Sequence, residues 1–176
     1  MCACAYLQPA NLFITKSGLI KLGDLGCCKL LQSPDEACTN EYGTLRMRCL
    51  LMRERADRRR DLRVRAAGSP QYLSPEVWQH GIGSHKSDIW SIGCVAYELL
   101  AHVPPFKEPS LLHKVLTSDP CPLPEQYSAG LKELVFRMLR KDPEQRPGST
   151  DLLRDAIVAH HAKRWLAASH TPLGEA

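Results

Sequence analysis

The sequence predicts a mainly α fold of the α+β family, in which a short β-hairpin precedes a helical bundle built around one buried helix. Three observations carry this expectation. Two apolar, partly β-branched runs, Leu12–Thr15 and Leu19–Leu22, flank the turn residues Lys16-Ser17-Gly18. Lys86–Ala101 is apolar nearly all round, the pattern of a helix without a solvent face. Ala129–Leu139 carries apolar residues at the spacing of one helical face.

The elements follow in chain order. Gly18 supplies the positive φ that a tight hairpin turn needs. A long polar stretch then runs to Ser69 with few periodic signals. In Lys86–Ala101, Ile89, Trp90, Ile92, Val95, Ala96, Leu99 and Leu100 make the expected axis of the core. Ser110–Leu116 follows Pro109 and reads as a short helix. Leu131, Leu134, Val135, Met138 and Leu139 define the face of Ala129–Leu139, with Ser128 as its cap. A loop, Lys141–Thr150, leads to a last helix through Trp165, capped by Ser149 or Thr150. Residues 166–176 are small and polar and read as a disordered tail.

Length and composition bound the class. A chain of 176 residues makes about one domain, and 44% hydrophobic with 24% charged residues fits a globular protein. No apolar run has membrane-spanning length, and no basic segment leads into a secretory signal. The expected location is cytoplasmic, with nucleus or cytoskeleton as alternatives, and no membrane partner. Eight cysteines at irregular spacing contain no C-x₂-C knuckle, so reduced thiols are expected rather than a zinc site at Cys2, Cys4, Cys27 and Cys28. The net charge of +4 comes from one stretch. Thr44–Gly68 holds nine arginines against three acids, a local net of +6, which leaves −2 for the remainder. This stretch is the one candidate for nucleic-acid or acidic partners, but it lacks interleaved aromatics and reads as a solvated loop.

Several motifs coincide in order. Pro9-Ala10-Asn11 precedes the hairpin and Asp24-Leu25-Gly26 follows it. "GSPQYLSPE" ends the polar stretch at Glu76, "KSDIWSIGC" opens the buried helix, and "DPEQRP" places Arg146 before the last helix. In this order the chain resembles the C-terminal lobe of a protein kinase, from Leu7 to Trp165. The wording "PANLFITKSGLIKLGDLG" and "GSPQYLSPE" is most similar to the NIMA-related serine/threonine kinases.

The resemblance implies ATP-dependent phosphoryl transfer to protein Ser or Thr, with ATP and Mg²⁺ as cofactor partners and protein substrates. Asn11 and Asp24 match the two metal-holding positions, both with the oxygen ligands a hard cation takes. Glu76 and Arg146 match a structural ion pair, and Asp88 an aspartate that fixes the catalytic loop. Ser69 matches a Thr beside the substrate hydroxyl, and Thr39 and Ser33 are activation-segment positions open to phosphorylation. The segment 24–76 corresponds to the activation segment. Without Thr44–Gly68 its 53 residues shorten to 28, so residues 44–68 read as an insertion.

The departures fall on the chemistry. Residues 1–6 do not follow the family. Aligned on Pro9 and Asn11, Tyr6 stands at the catalytic Asp position and Gln8 at the phosphate-binding Lys position. A phenol with an ordinary pKa of about 10 is a poor base beside a carboxylate. No G-x-G-x-x-G and no strand Lys precedes Asp24. The expectation is therefore a truncated, pseudokinase-like chain, inactive alone, with no confident catalytic or ATP-contacting residue. The alternative is a non-catalytic binding module for protein partners. A bare face is expected on Lys86–Ala101, and with it an aggregation-prone monomer.

Overall fold

The computed structural model describes residues 2–3, 7–24, 28–31, 33, 36–37 and 70–169. Expectations for Tyr6, Leu25, Gly26, Thr39, the Arg-rich stretch 44–68 and Ser69 fall outside the described residues, as does 170–176. The chain begins with β1 (Cys2–Ala3), a single turn of 3-10 helix at Pro9–Asn11, and the strands β2 (Leu12–Ile14) and β3 (Ile20–Leu22). β4 (Lys29–Leu30) follows. The helices described are α1 (Pro75–His80), α2 (His85–Ala101), α3 (Leu111–Thr117), α4 (Ala129–Met138), α5 (Ser149–Arg154) and α6 (Ala156–Ser169).

The hairpin forms where its residues predict it. β2 and β3 pair antiparallel, Leu12 with Leu22, Phe13 with Lys21 and Ile14 with Ile20. Gly18 takes a φ of 79°, and the Thr15 hydroxyl accepts a hydrogen bond from the Leu19 amide at 3.0 Å. The second pairing was not foreseen. Cys2 lies opposite Leu30 and Ala3 opposite Lys29, so the stretch before Leu7 contributes a strand despite its departure from the family wording.

α2 is the axis of the core. Ser84 caps it by accepting the Lys86 amide at 3.1 Å, and the Ser87 hydroxyl accepts the Ser84 amide at 3.0 Å. Trp90 and Cys94 are fully enclosed, and Trp90 stacks on Phe106 with ring centres 5.5 Å apart. α4 lies against α2 because Gly93 has no side chain. A Cβ there would come 2.9 Å from Met138 Cβ and 3.1 Å from Leu139 Cδ2. Leu134, Val135, Met138 and Leu139 are buried on the expected face, and Ser128 caps α4 through the Leu131 amide at 3.3 Å.

Two expectations need correction. α2 is not buried all round: Ile92 is 37% and Leu99 67% exposed. They stand seven positions apart on one side of the helix. The last helix is two helices. α5 starts after Gly148 rather than Ser149 or Thr150, because the Asp151 carboxylate takes the Gly148 amide at 2.8 Å. It stops at Asp155, whose carboxylate accepts the Ile157 amide at 3.1 Å and starts α6, which runs past Trp165 to Ser169.

Candidate functional site

The hairpin register builds the first half of the site. Leu12 pairs with Leu22, so Asn11 and Gly23 meet at its open end. The Asn11 carbonyl accepts the Gly23 amide at 2.8 Å, and Asp24 comes next. Pro9 opens the 3-10 turn with its fixed φ, and the Asn11 amide donates to the Gln8 carbonyl at 3.0 Å. Asn11 is buried, while Leu7 and Leu12 pack on the edge of the core and anchor the turn. Asp24 is exposed and has a φ of 55°, a left-handed backbone uncommon outside glycine.

A side-chain amide oxygen and a carboxylate are the hard donors that Mg²⁺ takes. This ion usually binds through one or two protein carboxylates and completes its shell with waters and phosphate oxygens. Among the described residues no group of three His, Cys, Asp or Glu makes a metal site of its own. Asn11 and Asp24 thus fit a cation delivered with a phosphate ligand.

The second half is an ion pair that ties α1 to the loop before α5. Arg146 Nη1 and Nη2 each donate to a Glu76 carboxylate oxygen at 2.8 Å. The same nitrogens donate to the carbonyls of Lys86 at 2.8 Å and Lys141 at 3.0 Å, and Nε donates to Arg140 at 2.7 Å. All five guanidinium donors are thereby used, which is what lets a side chain with no exposed area carry a charge. Ser87 donates to Glu76 at 2.8 Å. Burial pushes the Glu76 carboxyl up, but the Arg146 hydrogen bonds and charge outweigh it and hold it below the ordinary range.

A protein kinase domain family model matches residues 6–158. The chain belongs to the protein kinase domain family. Within it, the likeness is to the NIMA-related kinases. Serine/threonine-protein kinase Nek3 of Mus musculus is 36% identical over 84% of this chain and 24% of its own length. Serine/threonine-protein kinase Nek4 of Mus musculus is 30% identical over 93% of this chain and 18% of its own. G2-specific protein kinase nimA of Emericella nidulans is 31% identical over 86% and 18%. The chain therefore spans a quarter or less of the length of these relatives.

The structure of this kinase-family chain brings the sequence-identified residues into two groups. Asn11 and Asp24 share the open end of the hairpin; Glu76 and Arg146 share the core beneath α2. Asp88 lies half-buried in the first turn of α2, near the cap built by Ser84. Gln8 is half-buried and extended just before the 3-10 turn, and Ser33 is exposed.

Three contributors were missed. The Tyr72 hydroxyl donates to Glu98 at 2.6 Å, and Ser91 donates to the Tyr72 carbonyl at 2.9 Å, tying "PQY" to α2. Burial first, then the Glu98 hydrogen bond, push the Tyr72 phenol up. Lys86 donates from Nζ to the Arg146 carbonyl. These partners lie 19, 26 and 60 residues apart, so no local spacing rule reveals them.

Proposed function

We propose that these residues form the C-terminal lobe of a NIMA-related serine/threonine kinase domain, and that this chain by itself transfers no phosphate. The parent reaction is transfer of the ATP γ-phosphate to Ser or Thr of a protein substrate. One observation carries the silent reading: Tyr6 stands at the base position and Gln8 at the phosphate-binding Lys position. The first lacks a carboxylate to orient and deprotonate a hydroxyl; the second lacks the cation that offsets charge on the transferring phosphate. Nor do the 176 residues contain a Gly-rich loop to cover a triphosphate.

Mg²⁺, when bound with ATP, neutralises charge on the triphosphate. Asn11 and Asp24 are the residues of this chain that would hold it, and the Asn11–Gly23 hydrogen bond would keep them together. Glu76 and Arg146 are structural: they seat α1 on the start of α2 and so shape the substrate side. Asp88 positions the catalytic loop. Ser69, Thr39 and Ser33 belong to the activation segment, with Thr44–Gly68 as an insertion in it. The compartment is the cytoplasm, with the nucleus or cytoskeleton as alternatives. Among the described residues no helix is long and apolar enough to cross a membrane.

A second reading, a non-catalytic module that binds partners of the parent kinase, draws support from the same geometry. The segment Pro70–His80 is held by Arg146, Ser87 and Ser91, through contacts that need no bound nucleotide. Phosphate transfer from Mg·ATP to a protein rich in serine and threonine tests the silent reading. The expected result is no transfer above the rate without the chain. Transfer that disappears in Asp24→Ala would overturn it.

A further inference from the structure

Beside the loop that follows α4 opens a cavity of about 450 Å³, within the size range of small-ligand sites. Phe136 and Leu139 of α4, with Pro120, give it apolar walls, and Asp119 and Arg140 are among its polar ones. Its frame is fixed from the core side. The buried Arg146 guanidinium holds the Arg140 carbonyl at 2.7 Å and the Lys141 carbonyl at 3.0 Å. Asp142 and Gln145, also in the lining, are tied to one another: one Asp142 carboxylate oxygen accepts Gln145 Nε2 at 3.2 Å, and the other accepts the Glu144 amide at 3.0 Å. The cavity is therefore preformed, and its loop needs little ordering on binding.

Two charges in the lining are unpaired. Among the described residues neither the Arg140 guanidinium nor the Asp119 carboxylate has a hydrogen-bond or ion-pair partner. Asp119 lies near enough to act on Lys141, yet forms no ion pair with it. The Lys141 amine is engaged elsewhere, by the Phe106 and Trp90 rings and the Lys114 carbonyl. The lining as a whole holds two cations and two carboxylates, so it has no net charge to draw in an anion or a cation alone. One free guanidinium, one free carboxylate and an apolar wall complement a molecule that carries a carboxylate, an ammonium and an apolar body.

We propose that this cavity binds a free apolar α-amino acid. Its carboxylate meets the Arg140 guanidinium, whose planar fork suits two carboxylate oxygens. Its ammonium meets the Asp119 carboxylate, and its side chain lies on Phe136 and Leu139. Arg140 and Asp119 are both exposed to water, so each ion pair contributes modestly and selectivity comes from the need for both. The site involves neither Asn11 nor Asp24 and is independent of phosphate transfer.

The test titrates the full ¹⁵N-labelled chain with L-phenylalanine and follows its amide signals by nuclear magnetic resonance. Saturable shifts are expected at Leu139, Arg140 and Gln145 and not in the hairpin β2–β3. N-acetylphenylalanine lacks the ammonium and phenylalaninamide lacks the carboxylate, while both keep the ring. Each should bind about fivefold more weakly, the upper end for one exposed ion pair. Arg140→Gln and Asp119→Asn, at exposed positions, should each weaken phenylalanine binding by a similar factor with an unchanged thermal midpoint. The absence of saturable shifts at these amides, equal affinity for either analogue, or undiminished binding in either variant would each overturn the proposal.

Discussion

Arg146→Met removes the guanidinium while keeping an apolar stem against Trp90, whose ring centre lies 5.1 Å from Arg146 Cζ. The Glu76 carboxylate then keeps Ser87 as its donor, and the carbonyls of Lys86, Arg140 and Lys141 lose theirs. Removing one side of a buried pair costs about 3–5 kcal/mol, against a total of about 5–15 kcal/mol for a typical domain. Glu76→Gln should cost less, about 1–3 kcal/mol, because its amide oxygen still accepts one guanidinium hydrogen bond. The double variant Glu76→Leu/Arg146→Met should cost less than the sum of its singles, since no buried charge is stranded. Urea unfolding followed by far-UV circular dichroism measures all of these. The pair also sets a pH dependence. The folded Glu76 pKa is depressed, so the pair's stabilisation is fully present above the unfolded value of about 4.3 and fades as the pH falls through the folded value. An Arg146→Met variant within about 1 kcal/mol of the parent, or strictly additive singles, would refute this account of the core.

Other expectations follow from the same contacts. Gly93→Val should cost at least about 1–3 kcal/mol, because even its Cβ meets Met138 at 2.9 Å; an unchanged denaturation midpoint would contradict close α2–α4 contact. Tyr72→Phe should cost about 1.5 kcal/mol by losing the bond to Glu98. The folded Tyr72 pKa is raised, so that contribution is present below the ordinary tyrosine value of about 10 and fades above it; ultraviolet titration of parent and variant should differ by one late-titrating phenol. Leu99→Gln, at a position 67% exposed, should change stability by less than about 0.5 kcal/mol while reducing self-association in sedimentation. A clear loss of stability would mean that this face is covered.

The parts legible in the sequence were those with short-range causes. The hairpin was announced by two apolar runs around Gly18, and α4 by five apolar residues at helical spacing with Ser128 ahead of them. The pairing of Glu76 with Arg146, 70 residues apart, came from family wording and not from any local rule. Periodicity overstated α2: Ile92 and Leu99 have the composition of core residues, but burial depends on which elements arrive beside them. The break at Asp155 was hidden because both flanking segments are helical and no proline or glycine stands between them. The Asp155 carboxylate, which receives the Ile157 amide and an Arg137 bond at 3.3 Å, makes the break instead. β1 was hidden for another reason: two residues are too short for any pattern, and their partners, Leu30 and Lys29, lie 28 and 26 residues further on.

The most direct test of the central claim is phosphate transfer by the purified chain, measured with Mg·ATP and a protein substrate rich in serine and threonine. No transfer above the rate without protein is expected, because Tyr6 and Gln8 stand at the positions of the base and the phosphate-binding cation. Transfer that is clear and is lost on Asp24→Ala would contradict it.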